Sequence, residues 1–515
     1  MADTVRDLLQ GHPTDAPAIG APGRDWLTFG GLAGLADATL ATLNGWGVGR
    51  GDRVAIVLPN GPEMAAAFVT LACCCDTAPL NPAYKEDEFD FYLSDLKAKL
   101  LVVSADETGP AVAAARTAGL PIARLATGAT DPAGHFTLHL EGDAPAPEAA
   151  RPGFSGPDDG ALVLHTSGTT SRPKIVPLLN RNVAASARHI GASLALTPAD
   201  RCLNIMPLFH IHGLIAAVTT SLAHGASVWC SPGFNALQVF AWMDAAAPTW
   251  YTAVPTMHQA ILSRAPRNPE SVARARLRLI RSSSSSLPPQ VMGALEETFG
   301  CPVVESYGMT EACHQMTANP LPPAPRKPGS VGIAAGPQVR VADEAENRLL
   351  DGTAPGEVVI SGPNITPGYE ANPEANAKSF FDADGQRWFR TGDQGVFDAD
   401  GYLTITGRLK EIINRGGEKI SPREVDDVLM DHPAVQQVVT FAMPHPKLGE
   451  EVAAAVVLRD GQSAGEQDLR SFAAGRLADF KVPRKVLILE EIPKGATGKL
   501  QRIGLAAKLG LGVDA

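Results

Sequence analysis

The sequence lacks the cysteine pairs that form disulfide frameworks and zinc sites. Its seven cysteines include the run Cys73-Cys74-Cys75 and show no CxxC spacing, so we expect small core residues in a reduced compartment. No uncharged apolar run is long enough to span a bilayer, and the start has no basic flank before an apolar block. Positive charge is also scarce, because the formal net charge is -11. We therefore expect a cytoplasmic enzyme with no nucleic-acid or membrane partner.

Length and pattern indicate more than one domain. The chain has 515 residues, several times the usual domain length. From Arg53 onward, strand-like pieces such as RVAIVLPN and KLLVVS alternate with helical pieces such as GPEMAAAFVTLA, which is typical of a doubly wound α/β fold. We predict a large α/β domain over residues 1–408 that includes a β-rich subdomain. A small, mobile α+β domain over residues 409–515 would follow, with a hinge near Lys410.

The stretch HTSGTTSRPK, residues 165–174, concentrates hydroxyl groups in front of two cations. A glycine at its centre lets successive backbone amides point at one place, and the hydroxyls add donors around that concavity. Such a loop suits a polyphosphate, whereas a solvated Ser/Thr-rich turn explains the composition equally well. The predicted phosphate contacts are Thr166, Ser167, Gly168, Thr169, Thr170 and Lys174.

Further motifs in a fixed order decide between these readings. They are PLFHIHG at 207–213, YGMTEA at 307–312, TGD at 391–393, GRLKEIINRGGEKISP at 407–422 and PKGATGKLQR at 493–502. With the loop, this set resembles the adenylate-forming superfamily of acyl-CoA synthetases, luciferases and peptide-synthetase adenylation domains. The resemblance covers the chain from about residue 160 to its end. It implies an AMP-forming acid–thiol ligase that uses ATP, Mg²⁺ and coenzyme A, and we expect a monomer or homodimer.

The resemblance also implies roles for single residues. Tyr307 would stack on adenine, and Glu311 would hold Mg²⁺ together with Thr169, since this cation prefers oxygen ligands. Asp393 would accept hydrogen bonds from both ribose hydroxyls, with Arg408 beside it. Taken singly, a half-buried ring and an Asx turn explain these motifs as well. The remaining predicted nucleotide contacts are Glu305, Ser306 and Thr310.

The motifs near the C-terminus imply a two-step cycle in the resembled family. Lys499 would bind the carboxylate and the α-phosphate while the acyl-adenylate forms. The small domain would then rotate about Lys410, withdraw Lys499 and bring a glycine-containing loop toward the CoA tunnel. Arg415, Gly416 and Gly417 form that loop, although a plain β-turn also explains two glycines.

The acid is predicted from the polar string RSSSSSLPP at 281–289. A hydroxyl-lined wall disfavours a fatty tail, because the hydroxyls would lose their hydrogen bonds. Together with two histidines, this wall resembles the oxalate-activating branch of acyl-CoA synthetases. The resemblance implies that oxalate contacts His210, Ser284, Ser286 and His314.

Other functions remain open at this point. Malonate, glycolate or another short polar acid would also suit the serine-rich wall, and either histidine alone fits a satisfied core group equally well. A stand-alone adenylation enzyme that loads a carrier protein is a further alternative. A non-catalytic nucleotide sensor is expected to have lost Lys499 or Glu311, and both are present.

Overall fold

A computed structural model describes residues 3–144, 146–166, 173–493 and 500–511. The predictions for Ser167, Gly168, Thr169, Thr170 and Lys499 lie outside these residues. Within the described part of the chain, the strands form four sheets. They are numbered from β1 in chain order, as are the helices from α1.

The largest sheet belongs to the large domain. Its strands are β1 (Pro17–Ala21), β2 (Arg24–Thr28), β10 (Arg201–Asn204), β11 (Ser227–Cys230), β12 (Trp250–Ala253), β13 (Leu279–Ser282), β14 (Val303–Met309), β15 (His314–Ala318) and β16 (Ile333–Ala334). The spatial order is β16-β15-β14-β13-β12-β10-β11-β1-β2. The pairs from β14 through β13, β12, β10 and β11 to β1 are parallel. The carboxyl ends of β12, β13 and β14 therefore meet at one edge, where ligands bind in open α/β sheets.

A second sheet is also mostly parallel. Its strands are β3 (Arg53–Val57), β4 (Asp76–Pro79), β5 (Leu100–Ser104), β6 (Ile122–Ala126), β7 (Thr137–Glu141), β8 (Gly160–His165) and β9 (Ile175–Leu179). Their order is β7-β6-β5-β3-β4-β8-β9, and only the outer pairs β6–β7 and β8–β9 are antiparallel. The residues of β3 after Arg53 are buried, as expected for a parallel strand that is covered on both faces.

The remaining sheets are smaller. The third comprises β17 (Gln338–Ala342), β18 (Leu349–Leu350), β19 (Gly356–Ser361), β20 (Phe380–Ala383), β21 (Gln386–Phe397) and β22 (Leu403–Arg408). All of its pairs are antiparallel, and it is the predicted β-rich subdomain. The fourth comprises β23 (Ile413–Arg415), β24 (Glu418–Ile420), β25 (Val435–His445), β26 (Gly449–Leu458) and β27 (Lys485–Ile488).

Helices cover the sheets of both parts of the chain. In the large domain they are α1 (Val5–Leu8), α2 (Phe29–Gly45), α3 (Pro62–Ala72), α4 (Glu86–Leu96), α5 (Pro110–Thr117), α6 (Asn180–Ser193), α7 (Thr220–Ala223), α8 (Val239–Ala246), α9 (Pro255–Arg264), α10 (Pro269–Arg274), α11 (Pro289–Phe299) and α12 (Pro373–Ser379). The C-terminal part adds α13 (Pro422–Met430), α14 (Glu466–Ala474) and α15 (Leu505–Lys508). A π-helix spans His212–Thr219, and 3₁₀ turns span Ala265–Arg267, Thr310–Ala312 and Asp479–Lys481.

The C-terminal part has its own core. Helix α13 begins where the Ser421 hydroxyl accepts a 3.4 Å hydrogen bond from the amide of Glu424, with a proline in the first turn. Its predicted apolar face is buried at Val425 and Leu429 and packs on the fourth sheet. Full burial of one such leucine contributes about 2 kcal/mol. The predicted α/β class with a separate C-terminal unit is confirmed, whereas the boundary at residue 408 and the hinge at Lys410 stay predictions.

Candidate active site

The flanks of the serine- and threonine-rich loop are held together. Strand β8 ends at His165 and β9 begins at Ile175. The amide of Thr166 donates a 3.0 Å hydrogen bond to the Lys174 carbonyl, and the Lys174 amide donates a 3.3 Å bond to the Thr166 hydroxyl. Nε2 of His165 lies 3.0 Å from Oδ2 of Asp95. The two strand ends that flank the loop are therefore held close together.

Lys174 and Glu311 both contact the side chain of Tyr369. Nζ of Lys174 is 4.2 Å from the centre of the Tyr369 ring, and the Tyr369 hydroxyl donates a 2.7 Å hydrogen bond to Oε1 of Glu311. Burial raises the pKa of Glu311, and the hydrogen bond from Tyr369 and the charge of Lys174 oppose this rise. A cation and a buried carboxylate therefore share one end of the site. Sequence reasoning missed Tyr369, because no motif marked it.

A second cluster joins the YGMTEA and TGD motifs. The Tyr307 hydroxyl donates a 2.5 Å hydrogen bond to Oδ2 of Asp393, and Nε of Arg408 donates a 3.1 Å bond to Oδ1. The amide of Asp393 donates to the Thr391 hydroxyl over 3.1 Å. The carboxylate of Asp393 raises the pKa of Arg408. The structure thus brings Tyr307, Asp393 and Arg408 together, although 86 residues separate the first two.

The other predicted nucleotide contacts follow along β14. The side chains of Glu305 and Ser306 are both only 2% exposed. Oε1 of Glu305 accepts a 2.9 Å hydrogen bond from the Leu287 amide, and burial raises the pKa of Glu305 to about 7. Thr310 begins the 3₁₀ turn that carries Glu311. Contact of Glu305, Ser306 and Thr310 with a nucleotide stays a prediction.

The serine-rich wall starts at the carboxyl end of β13. Ser284 has a φ of 70°, a conformation that non-glycine residues rarely adopt outside special sites. Its hydroxyl lies 3.0 Å from Nδ1 of His212. Ser286 accepts a hydrogen bond from Arg423 of the C-terminal part. The predicted substrate residues Ser284 and Ser286 therefore have different partners, one in the large domain and one across the predicted boundary.

Three histidines converge beside this wall. The ring of His212 stacks on that of His314, with centroids 4.8 Å apart, and the His212 amide donates a 3.3 Å hydrogen bond to Nδ1 of His210. His314 is 1% exposed. Its backbone packs closely against that of Gly308, because a Cβ on Gly308 would lie 1.5 Å from the His314 carbonyl oxygen. His212, which directly contacts Ser284, was missed. The second histidine of the PLFHIHG motif is His212, and this motif could have identified it.

The predicted CoA loop forms the turn between β23 and β24. Gly416 and Gly417 have φ of 61° and 102°, which favours glycine. The Gly416 amide donates to the Leu448 carbonyl over 2.9 Å, and Nε of Arg415 donates to Oε1 of Glu451 over 2.6 Å. These contacts hold the turn against β26 and the segment that joins it to β25, and a role in CoA binding stays a prediction. Lys410 is exposed between β22 and β23.

A cavity of about 140 Å³ lies between the large domain and the C-terminal part. Ser285 and Ser286 line it on one side, and Arg423, Leu500 and Arg502 on the other. Leu500 directly follows Lys499 in the sequence. The C-terminal motif therefore reaches the serine-rich wall.

The described residues contain neither a protein-only metal site nor a membrane-spanning helix. Within the described ranges, no group of three or more histidine, cysteine, aspartate or glutamate side chains could hold a metal ion. Of the helices in the described part of the chain, none has the length and apolarity needed to cross a membrane.

Comparisons with known proteins agree with the motifs. The family described as AMP-binding enzyme matches residues 5–370, and the AMP-binding enzyme C-terminal domain matches residues 424–499. An oxalate–CoA ligase from Arabidopsis thaliana is 44% identical over 97% of this chain and 98% of that protein. An oxalate–CoA ligase from Saccharomyces cerevisiae is 42% identical over 88% of this chain and 86% of that protein. The crystal structure of ATP-bound MatB from Rhodopseudomonas palustris has a TM-score of 0.85 at 28% identity and covers 97% of both chains.

Proposed function

Because the chain belongs to the AMP-binding enzyme family, we propose that it is an ATP-dependent ligase that joins oxalate to coenzyme A. In the first half-reaction, a carboxylate oxygen attacks the α-phosphorus of ATP, which gives an acyl-adenylate and pyrophosphate. In the second, the CoA thiol attacks the acyl carbon and AMP leaves. The predicted family and the AMP-forming acid–thiol ligase class are both confirmed by the family matches and the relatives.

The observation that supports oxalate is the cluster of polar side chains at the end of β13. There the His212 ring and the Ser284 hydroxyl are hydrogen-bonded, and the ring of His314 stacks on that of His212. A fatty tail against Ser284, which is half-buried, would remove its hydroxyl from water without offering an acceptor, which costs about 1 to 3 kcal/mol. A second carboxylate supplies acceptors instead. The relatives named as oxalate–CoA ligases support the same acid.

The nucleotide would lie against the Tyr307–Asp393 pair. Asp393 can accept further hydrogen bonds from ribose hydroxyls, because each carboxylate oxygen offers two acceptor sites. Its bonds from Tyr307 and Arg408 fix its orientation before ATP arrives. The ring of Tyr307, held at its hydroxyl, would present its face to adenine. Thr166 and Lys174 would hold the phosphates together with residues of the loop that are not described.

Glu311 fits a magnesium ion that arrives with ATP. Mg²⁺ is usually bound by one or two carboxylates together with phosphate oxygens and waters, and Glu311 is a single buried carboxylate near the cation Lys174. Thr169 is the proposed second protein ligand. The ion would neutralise phosphate charge while pyrophosphate departs.

The C-terminal part would serve both half-reactions. We propose domains at 1–408 and 409–515, with Lys410 as the hinge between them. The position of Leu500 and Arg502 at the serine-rich wall supports an arrangement in which Lys499 stabilises the forming adenylate. Rotation about Lys410 would then carry Arg415, Gly416 and Gly417 to the entering CoA. All seven cysteines are buried and free, which suits a reducing compartment such as the cytoplasm.

Pyrophosphate release tests this function. The purified protein is given ATP and Mg²⁺ with oxalate, malonate, glycolate, acetate or hexanoate, each with and without CoA. Oxalate should give the highest rate, and sustained turnover should require CoA. Faster turnover with hexanoate would overturn the substrate, and release without any dependence on an acid would overturn the enzyme class.

A further inference from the structure

Arg281 is a fully buried cation beneath the serine-rich wall. Its side chain lies on β13 with 0% exposure, and within the described residues no carboxylate forms an ion pair with it. Nη2 donates a 3.1 Å hydrogen bond to Oε1 of Gln315, and Nε has no hydrogen-bond partner in that same part of the chain. Burial lowers the pKa of Arg281 to about 9. A buried cation without a counter-ion is costly, so its retention calls for a function.

The sheet register places Thr252 next to this arginine. Thr252 on β12 pairs directly with Arg281 on β13, which puts both side chains on one face of the sheet. Nη1 of Arg281 lies 3.4 Å from the Thr252 hydroxyl and 3.4 Å from Nε2 of His212. The Thr252 hydroxyl lies 2.6 Å from the same Nε2 atom. Arg281, Thr252 and His212 therefore form one cluster.

The chemistry of these groups fixes the direction of their hydrogen bonds. A guanidinium can only donate, so the Thr252 hydroxyl and Nε2 of His212 both accept from Nη1 of Arg281. Because Nε2 is an acceptor, the Thr252 hydroxyl donates its own hydrogen to that atom. With Nε2 as an acceptor, the neutral imidazole carries its proton on Nδ1. Nδ1 then donates to the Ser284 hydroxyl, 3.0 Å away. The Ser284 hydroxyl accepts that bond, and its hydrogen is directed to another acceptor.

The chain of donors leads from the interior to the serine-rich wall, where we propose that the substrate binds. Arg281, Thr252 and His212 are each 0% exposed, whereas Ser284 is half-buried at the wall. The positive charge at the inner end polarises each bond along the chain, as in other cooperative hydrogen-bond networks. An anionic acceptor at the outer end gains most from this arrangement.

We propose that Arg281 and Thr252 are positioning residues that act through His212 to make the Ser284 hydroxyl an obligate donor to the second carboxylate of the substrate. This relay selects a dianionic acid over a monoanionic acid of the same size. The inference rests on the proposed ligase function and adds to it the residues that set the specificity. His212 and Ser284 contact each other at the pocket, whereas Arg281 and Thr252 lie behind them.

Thr252 offers a matched pair of variants. Thr252→Val keeps the side-chain shape and removes the hydroxyl, whereas Thr252→Ser keeps the hydroxyl. We expect Thr252→Val to raise the KM for oxalate at least about tenfold, as for loss of a hydrogen bond to a charged group. The KM for ATP should stay within about twofold of the wild type, since the nucleotide cluster is separate. Thr252→Ser should restore the oxalate KM to within about threefold.

Oxamate is the probe of charge, because it replaces one carboxylate of oxalate by a carboxamide. It is assayed as a competitive inhibitor against oxalate in the wild type, Thr252→Val and Arg281→Gln. The preference for oxalate over oxamate should fall about tenfold in both variants. Thermal unfolding monitors whether each variant is folded. An unchanged preference in folded variants would overturn the relay.

Ser284→Ala tests the same proposal if Thr252→Val or Arg281→Gln fails to fold. It removes the outer end of the relay at a half-buried position and should raise the oxalate KM by a similar factor. The double variant Thr252→Val/Ser284→Ala should lose no more than Ser284→Ala alone, because both changes break one chain. Fully additive losses would contradict the proposal. Where Thr252→Val does not fold, an unchanged oxalate KM in Ser284→Ala contradicts it.

The wild-type control separates this proposal from the ligase function. If the wild type turns over oxalate and Thr252→Val matches Thr252→Ser, the relay is wrong and the function stands. If the wild type turns over malonate in place of oxalate, the same variants are tested with malonate. If it accepts no dicarboxylate, both the substrate and the relay are wrong.

Discussion

The hydroxyl of Tyr369 donates a 2.7 Å hydrogen bond to Oε1 of Glu311, and the ammonium of Lys174 lies 4.2 Å from the centre of the Tyr369 ring. One aromatic residue therefore contacts both the proposed phosphate-binding cation and the proposed magnesium ligand. The bond to Tyr369 and the charge of Lys174 both lower the pKa of Glu311 against the effect of burial.

Tyr369→Phe should move the acidic limb of the adenylation pH profile to higher pH. The variant keeps the ring and loses the bond that lowers the pKa of Glu311, so this pKa should rise. Because the ionised carboxylate binds the metal, more activity should be lost as the pH falls. Pyrophosphate release at saturating oxalate measures the profile. An acidic limb at the same pH as in the wild type would contradict the proposed role of Glu311.

Asp393→Ala should weaken ATP binding. The change removes the acceptor for the proposed ribose contact and leaves Tyr307 and Arg408 without their shared partner. The KM for ATP should rise about 10- to 100-fold, the range expected for hydrogen bonds to a charged group. Steady-state kinetics with ATP and with CoA separate the two sites.

Tyr307→Phe is the matched control for this variant, since it removes one bond to Asp393 and keeps the ring and the carboxylate. Its effect on the KM for ATP should be clearly smaller. Equal effects of Asp393→Ala and Tyr307→Phe would argue against a direct contact between Asp393 and the nucleotide.

Glu305→Gln should reduce the pH dependence of stability. Burial raises the pKa of Glu305 from 4.5 to about 7, so the folded state binds a proton more tightly than the unfolded state. Protonation of Glu305 therefore stabilises the folded state fully at pH values below the pKa of this residue in the unfolded chain. The stabilisation is lost as the pH rises through the pKa of Glu305 in the folded state. The full shift corresponds to about 3 kcal/mol. Glutamine keeps the acceptor for the Leu287 amide and does not ionise.

The midpoint of thermal unfolding, measured at several pH values from 4.5 upward, tests this expectation. The wild type should lose more stability than Glu305→Gln on going to pH values above the raised pKa. Glu297→Gln, at an exposed position of α11, is the control and should follow the wild type. Parallel profiles for the wild type and Glu305→Gln would contradict the assignment.

Gly308→Ala should displace His314. The added Cβ would lie 1.5 Å from the His314 carbonyl oxygen, so β14 and β15 must separate locally. We expect a lower melting temperature and a higher KM for oxalate. Gly293→Ala is the control, because a Cβ there meets no atom within 4 Å, and alanine in a helix should stabilise by about 0.5 to 1 kcal/mol. A normal oxalate KM in Gly308→Ala would contradict a substrate role for His314.

Motif order and hydrophobic period predicted the α/β class, the β-rich subdomain and the family. They also predicted Asp393 and Tyr307 for one site, which the structure brings into direct contact. The Arg281 cluster could not be predicted this way, because LRLIRS only indicates a strand. The contacts of the Arg281 side chain depend on the strand register that pairs Arg281 with Thr252. Likewise, the choice between His210 and His212 as the partner of Ser284 depends on how the π-helix begins, which periodicity does not encode.

Product formation from competing acids tests the proposed oxalate–CoA ligase activity most directly. The wild-type protein is given ATP, Mg²⁺ and CoA with equal concentrations of oxalate, malonate and hexanoate, and the CoA thioesters are quantified by mass spectrometry. We expect oxalyl-CoA as the main product, with one AMP formed for each thioester. Hexanoyl-CoA as the main product, or AMP without any thioester, would contradict it.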